Sequence, residues 1–352
     1  MTAAAATAVA LSSQTGAHAD PTPTKDEAKS QLDQLYHEAE VATEKYNAAT
    51  EKQQTLQKQA NDLQNQMARR QAQVSTAQSG LAEIAADQYR NNGMSPTVQL
   101  MLSSDPDSFL SKADSAQLVG RTQADALKAL RTEQSRLDQQ KAEAQQKLTD
   151  LDATAKDLKA ATEEVRAKLA KAQALLNSLT QQERDQLAQA DAKAAADAKA
   201  AAHTASPTRA SRSDSRTGLD SNTNPKTTKD AGTATGPYAA AAVAAARAEE
   251  GKPYVRGGTG PNSFDCSGLM VWAYAKAGIT LPRTSQDQAS AGTDIGTDIS
   301  NARPGDLVIF FNDHSHVGMY VGGGQIIHAP QPGKTVQYLG ATVMPIAAII
   351  RI

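Results

Sequence analysis

GGTGPNSFDCSGLMVWAY, Gly257–Tyr274, decides how this chain folds: a glycine-rich loop runs straight into an apolar segment that opens on the only cysteine of 352 residues. A single thiol cannot form an internal disulfide. Three roles remain for Cys266: inert buried residue, metal ligand or nucleophile. Its place where a loop gives way to a helix suits the last. The positive end of a helix dipole, helped by a nearby imidazolium, lowers a thiol pKa from about 8.5 to between about 3.5 and 7.5.

Around this stretch, Pro237–Ile352 concentrates glycine, proline, aromatic and β-branched residues. Tyr238–Glu250 reads as one helix and Cys266–Ala277 as another, capped by Gly278. DLVIFF, HVGMYV and QIIHA read as strands. Helices first and an antiparallel sheet after predict an α+β domain.

Three of the six histidines, His314, His316 and His328, fall in this domain within fifteen residues of one another. HVGMYVGGGQIIHA is a hairpin signature. Pairing Val321 with Gln325 around the three glycines sets His328 opposite Gly318 and makes His316 its diagonal neighbour, about 7 to 8 Å away. Gly318 clears the space between the rings. His316 would take the Cys266 proton and return it to a leaving amine, and His328 would orient His316 from its other nitrogen. His314 faces the other way and reads as a loop residue. Zinc held by Cys266 and the histidines is allowed by ligand type, but it leaves the helix-start placement unexplained. The expectation is a nucleophile, with no metal and no cofactor.

Upstream the chain is a different material. From Leu32, apolar positions recur by sevens through Ala39, Tyr46, Gln53, Ala60, Met67, Val74 and Leu81, with a second seam from Leu35 to Ile84. A second run goes from Leu130 through Leu137, Ala144, Leu151, Leu158, Val165 and Ala172 to Leu179, accompanied by Leu127, Leu148, Ala155, Leu169 and Leu176. Such heptads specify coiled coil. Gly93, Pro96 and Pro106 interrupt them, which predicts an antiparallel helical hairpin over residues 26–202 with an apolar tip at 91–114. Residues 203–236, rich in Ser, Thr, Pro and Asn, read as a flexible linker to a catalytic domain at 237–352.

Net charge of −2 gives no case for nucleic acid. Residues 1–19 form a small apolar run ending in Ala17-His18-Ala19, a signal-peptidase spacing, though no Lys or Arg precedes it. The expectation is an exported protein, secreted or held in the cell wall.

GKPYVRGGTGPNSFDCSGLMVWAY, LPRTSQDQ, ARPGDLVIFF and HVGMYVGGGQIIHA resemble, in order, the motif series of the NlpC/P60 cysteine peptidases, papain-like α+β enzymes that cleave cell-wall peptides. The resemblance implies Cys266 as nucleophile, His316 as base and His328 as third polar residue. It implies substrate contacts from Tyr254, Asp265 and Ser267. Arg256 departs from it, standing where many members carry an aromatic. The N-terminal half is similar, more loosely, to the coiled-coil domains of division-associated wall hydrolases, in which the hairpin occludes the enzyme or is engaged at its tip by a membrane complex of the FtsEX type.

The function these features imply is a peptidoglycan hydrolase cleaving the γ-D-glutamyl to diamino-acid bond of stem peptides. An acyltransferase or amidase of the same fold would differ in the acceptor of the thioester, and a scaffold with a degenerate domain would lack a reactive thiol. A linker spanning roughly 30 Å keeps the hairpin at about millimolar local concentration, so the hairpin is expected either to restrain the enzyme until a partner binds its tip or to serve as a passive spacer through the wall.

Overall fold

A computed structural model of the chain describes residues 24–90, 98, 109–204 and 236–352. The signal-like segment, most of the expected tip and most of the expected linker lie outside these residues. Two long helices, α1 (Lys25–Arg90) and α2 (Phe109–Ser178), pack along each other. Their cross-links run antiparallel: Lys168 to Glu38, Lys45 to Glu164, and Arg70 to Glu133 and Gln140. Ala39, Ala42, Ala49, Leu56, Leu63 and Val74 of α1 are buried, as are Leu137, Val165 and Ala172 of α2 and Leu179 just beyond its end. Among the described residues no helix is long and apolar enough to cross a membrane.

The companion seam on α2 is not where its leucines predict. Leu148 is 56% exposed and Leu127 45%, whereas Thr154 and Ala161 are buried. The inward stripe thus runs one residue earlier than Leu148 and Ala155. Thr154 tolerates this place because its hydroxyl donates to the Asp150 carbonyl at 2.7 Å, which satisfies the group within its own helix.

The second helix does not run on to residue 202, as the expected hairpin would have it. It stops, and α3 (Gln181–Thr204) starts afresh. Thr180 and Glu183 form a capping box: Glu183 accepts from the Thr180 N–H at 2.8 Å and Thr180 Oγ1 accepts from the Glu183 N–H at 3.3 Å. Arg184 closes the end of α2 by donating to the Leu176 and Leu179 carbonyls. From there α3 leaves the hairpin and lies on the C-terminal sheet, with Ala198 and Ala202 inside that domain's core. Alanine permits the close approach of helix to strand.

The C-terminal domain holds α4 (Pro237–Ala248), α5 (Cys266–Lys276), the single turn α6 (Ser285–Gln288) and six strands: β1 (Thr293–Asp294), β2 (Leu307–Phe310), β3 (His316–Gly322), β4 (Gln325–His328), β5 (Gln337–Gly340) and β6 (Ile346–Arg351). The strands form one antiparallel sheet in the order β1-β6-β2-β3-β4-β5. Every residue of β2 and β3 is buried. One sheet face packs on α4 and α5 through Leu307, Ile309, Val317, Met319 and Ile327; the other carries a smaller cluster of Val308, Phe310, Tyr320, Ile326 and Ile349. The α+β expectation holds. A long helical region precedes a papain-like sheet domain.

Candidate active site

Cys266 is the first residue of α5 and is fully buried. The helix begins there because Asp265, in extended backbone conformation, caps it: its carboxylate accepts from the Gly268 N–H at 2.7 Å. Gly268 is required by contact. A Cβ there would lie 2.0 Å from the Gly258 carbonyl oxygen, so only glycine lets the loop press against the helix start. Leu269, Met270, Ala273 and Tyr274 anchor α5 in the core. The thiol therefore sits on a rigid support.

His316 opens β3 and His328 closes β4. The expected register is corrected at the turn: Gly322, not Val321, pairs with Gln325, and the ladder shifts between Tyr320 and Gly322. Gly323 and Gly324, with φ of 63° and 72°, make the turn. The irregularity absorbs the extra residue before the histidines are reached. Met319 pairs with Ile327, so Gly318 comes opposite His328, and a Cβ on Gly318 would lie 3.4 Å from the His328 Cβ and 2.7 Å from Ile326 Cδ1. The rings meet edge to face, with His316 Nε2 2.7 Å from His328 Nδ1. A ring nitrogen of His316 lies within 4.8 Å of the Cys266 sulfur. With Nε2 engaged by His328, Nδ1 is the one left for the thiol.

Cys266, His316 and His328 are thus brought together. Tyr254 is buried beside them, and burial together with the neighbouring Cys266 pushes its phenol pKa well above the ordinary value. Ser267 follows the thiol on α5. His314 stays in the loop before β3, at φ 54°, where its carbonyl accepts from Ser285 Oγ at 2.6 Å.

Residues 251–344 match the model of the NlpC/P60 family. They form an NlpC/P60 domain. Over 111 residues the chain is 44% identical to a protein of Corynebacterium glutamicum named "Probable endopeptidase", an alignment covering 32% of this chain and 52% of that protein. It is 50% identical over 93 residues to "Probable endopeptidase p60" of Listeria monocytogenes, covering 26% of this chain and 19% of the relative. The peptidoglycan hydrolase RipB of Mycobacterium tuberculosis is a solved structure of similar kind, at 28% identity and a TM-score of 0.31 over 33% of this chain and 64% of that one. The chain spans about half the length of the corynebacterial relative, and less of the Listeria protein.

What the NlpC/P60 motifs do not announce is the occupant of the site. Helix α1 lies across it and inserts one polar stripe. Glu40 meets His316 Nδ1 at 2.5 Å. Glu44 accepts from Ser267 Oγ at 2.9 Å and from the Ser285 N–H at 3.0 Å, and stands 3.5 Å from the Cys266 sulfur. Asn47 donates to Asp265 at 3.1 Å, and Arg283, paired with Asp265 at 2.6 Å, reaches back to Asn47. At the margins, the His37 ring packs on Phe311 at 4.1 Å and its Nε2 is 3.4 Å from Asp313. Arg256, the family departure, lies over the Tyr46 ring at 4.5 Å. This arginine serves the hairpin contact.

The electrostatics follow from burial. Glu40 is pushed well above the usual carboxylate range by loss of water, and Glu44 rises to about 7 by burial and then by the nearby Asp265. Burial, then Glu40 and Glu44, push the Cys266 thiol well up. Burial and His37 hold His316 down at about 3, and burial followed by His316 lowers His328 well below its ordinary value. A neutral chain results: the Glu40 carboxyl donates to His316 Nδ1, and the His316 Nε2–H donates to His328 Nδ1. No thiolate–imidazolium pair forms while Glu40 holds this position.

Glu40, Glu44, Asn47, Arg283 and Ser285 escape the sequence reading. Arg283 and Ser285 stand inside LPRTSQDQ, yet their types fit an exposed loop equally well. The Glu40, Glu44, Asn47 spacing is helical, and a polar helical stripe ordinarily means a solvated face.

Proposed function

We propose that the protein is an exported peptidoglycan endopeptidase that cleaves the γ-D-glutamyl to diamino-acid bond of stem peptides through a Cys266 thioester, and that helix α1 holds it inactive. The carrying observation is the line from Cys266 at the start of α5 to His316 and on to His328. With α1 withdrawn, His316 Nδ1 is free to take the thiol proton, while the hydrogen bond to His328 keeps the right tautomer. The thiolate then attacks the peptide carbonyl. Backbone N–H groups at the start of α5 and the Tyr254 hydroxyl face the developing oxyanion. His316 returns the proton to the leaving amine, and water resolves the thioester.

In this reading, Asp265, Ser267 and Arg283 grip the stem peptide in the groove that Glu44 and Asn47 fill at rest. A partner at the hairpin tip, a membrane division complex of the FtsEX type, withdraws α1. The names of the corynebacterial and Listeria relatives support the endopeptidase reading. The test is digestion of defined muropeptides by full-length Glu40→Ala/Glu44→Ala protein, with products read by mass spectrometry. A free D-glutamyl carboxylate is expected. Undiminished cleavage after adding Cys266→Ala overturns the mechanism, and a new bond to an amine in place of the free acid makes the protein an acyltransferase.

A further inference from the structure

Where α1 meets the dyad, three donors of different type converge: the Glu40 carboxylate, the Cys266 sulfur and a ring nitrogen of His316, all within 4.8 Å of one another. Glu40 comes from the hairpin and the other two from the NlpC/P60 domain. We propose that this junction is a Zn2+ site, with Glu40, Cys266 and His316 Nδ1 as its ligands, so that one ion clamps the hairpin onto the enzyme. The proposal rests on the docked position of α1 described above.

Geometry makes the case first: the Glu40 carboxyl already sits against His316 Nδ1, and both lie within 4.8 Å of the Cys266 sulfur, so one ion can reach all three donors. On binding, the Cys266 thiol and the Glu40 carboxyl each give a proton to solvent, and the two anions balance the ion's two positive charges; nothing is oxidised or reduced.

Ligand chemistry then chooses the metal. Thiolate with imidazole and one carboxylate suits zinc, whereas magnesium and calcium call for all-oxygen shells of six or more. Zinc bonds of about 2.0 to 2.3 Å place neighbouring tetrahedral ligands about 3 to 4 Å apart. The three donors need only a small adjustment, the Glu40 to His316 contact opening and the others closing by about 1 Å at most. A fourth position stays for water, the three-ligand pattern of open zinc sites. His316 is already oriented for the role, since its Nε2–H is engaged by His328 and Nδ1 is left as the donor, the usual outer support of a metal-bound histidine. Because the ligands come from two separate parts of the chain, zinc affinity and hairpin docking reinforce each other.

The experiment uses metal-free full-length protein titrated with Co2+ as a spectroscopic stand-in for Zn2+, with alkylation of Cys266 by iodoacetamide followed in parallel before any metal is added. One equivalent of Co2+ is expected to give a thiolate-to-cobalt charge-transfer band that one equivalent of Zn2+ removes. Glu40→Gln should weaken binding by more than about 100-fold, beyond the 10- to 100-fold of an outer-shell change, with the circular dichroism of the folded protein unchanged. Cys266→Ser should abolish the band. If Co2+ gives no band, or binds Glu40→Gln as tightly as wild type, the zinc site is overturned. In that event the alkylation rate separates the causes. A protected Cys266 leaves the docked hairpin standing and removes only the metal, whereas a freely alkylated Cys266 removes the docking as well.

Discussion

Helix α1 is buried on two faces, and they obey different rules. Toward α2 it presents Ala39, Ala42, Ala49 and Leu56, and toward the NlpC/P60 domain it presents Glu40, Glu44 and Asn47. The first face is buried because its side chains are apolar, and any matching seam would serve. The second is buried only because Ser267, the Ser285 N–H, His316 and Asp265 supply partners for its polar groups. Hydrophobic burial belongs to the residue, whereas polar burial belongs to the pair.

The largest effect is expected at the thiol under the polar face. In protein freed of the hairpin restraint, Cys266→Ala should lower muropeptide turnover by about 10⁴-fold or more; steady-state kinetics with mass-spectrometric product detection reads this directly. Next comes the ion pair beneath that face. Asp265→Ala strips Arg283 of its partner and α5 of its cap, and should destabilise the domain by about 3 to 5 kcal/mol, seen as a lower urea midpoint.

The polar face itself is tested by Glu40→Ala/Glu44→Ala in the full chain. Losing two hydrogen bonds of about 1 kcal/mol apiece should raise turnover and Cys266 alkylation about 30-fold. Wild-type rates for this variant would mean that α1 does not restrain the enzyme. The apolar face gives the smallest effect. Leu148→Ala, on the seam that heptad counting favours, should change the thermal stability by no more than about 0.5 kcal/mol, because Leu148 is 56% exposed.

Much of this molecule is legible in its residues alone. The lone Cys266, the His316 and His328 pair across a glycine turn, the α+β order and the first heptad seam all follow from residue type and period. Even the Val321 register error leaves the histidines facing each other, since the irregularity lies on the turn side of Tyr320. The Thr180–Glu183 capping box is present in TQQE, a local signal whose partners are three residues apart. Thr154 on the inner stripe of α2 is not legible, because a hydroxyl satisfied by its own helix looks like any surface threonine.

Residue type and spacing alone set which side chains could perform chemistry and which segments would be helix or sheet, because those depend on local backbone preference and on the repeat of apolar residues. Tertiary structure alone decided that α3 completes the sheet domain, that Arg283 locks Asp265, and that two glutamates of a distant helix stand against Cys266 and His316. Glu44 and Ser267 are separated by 223 positions, and no period or local motif links residues so far apart. Only the folded surface brings their partners together, and for a buried carboxylate the partner is what decides whether the burial can occur.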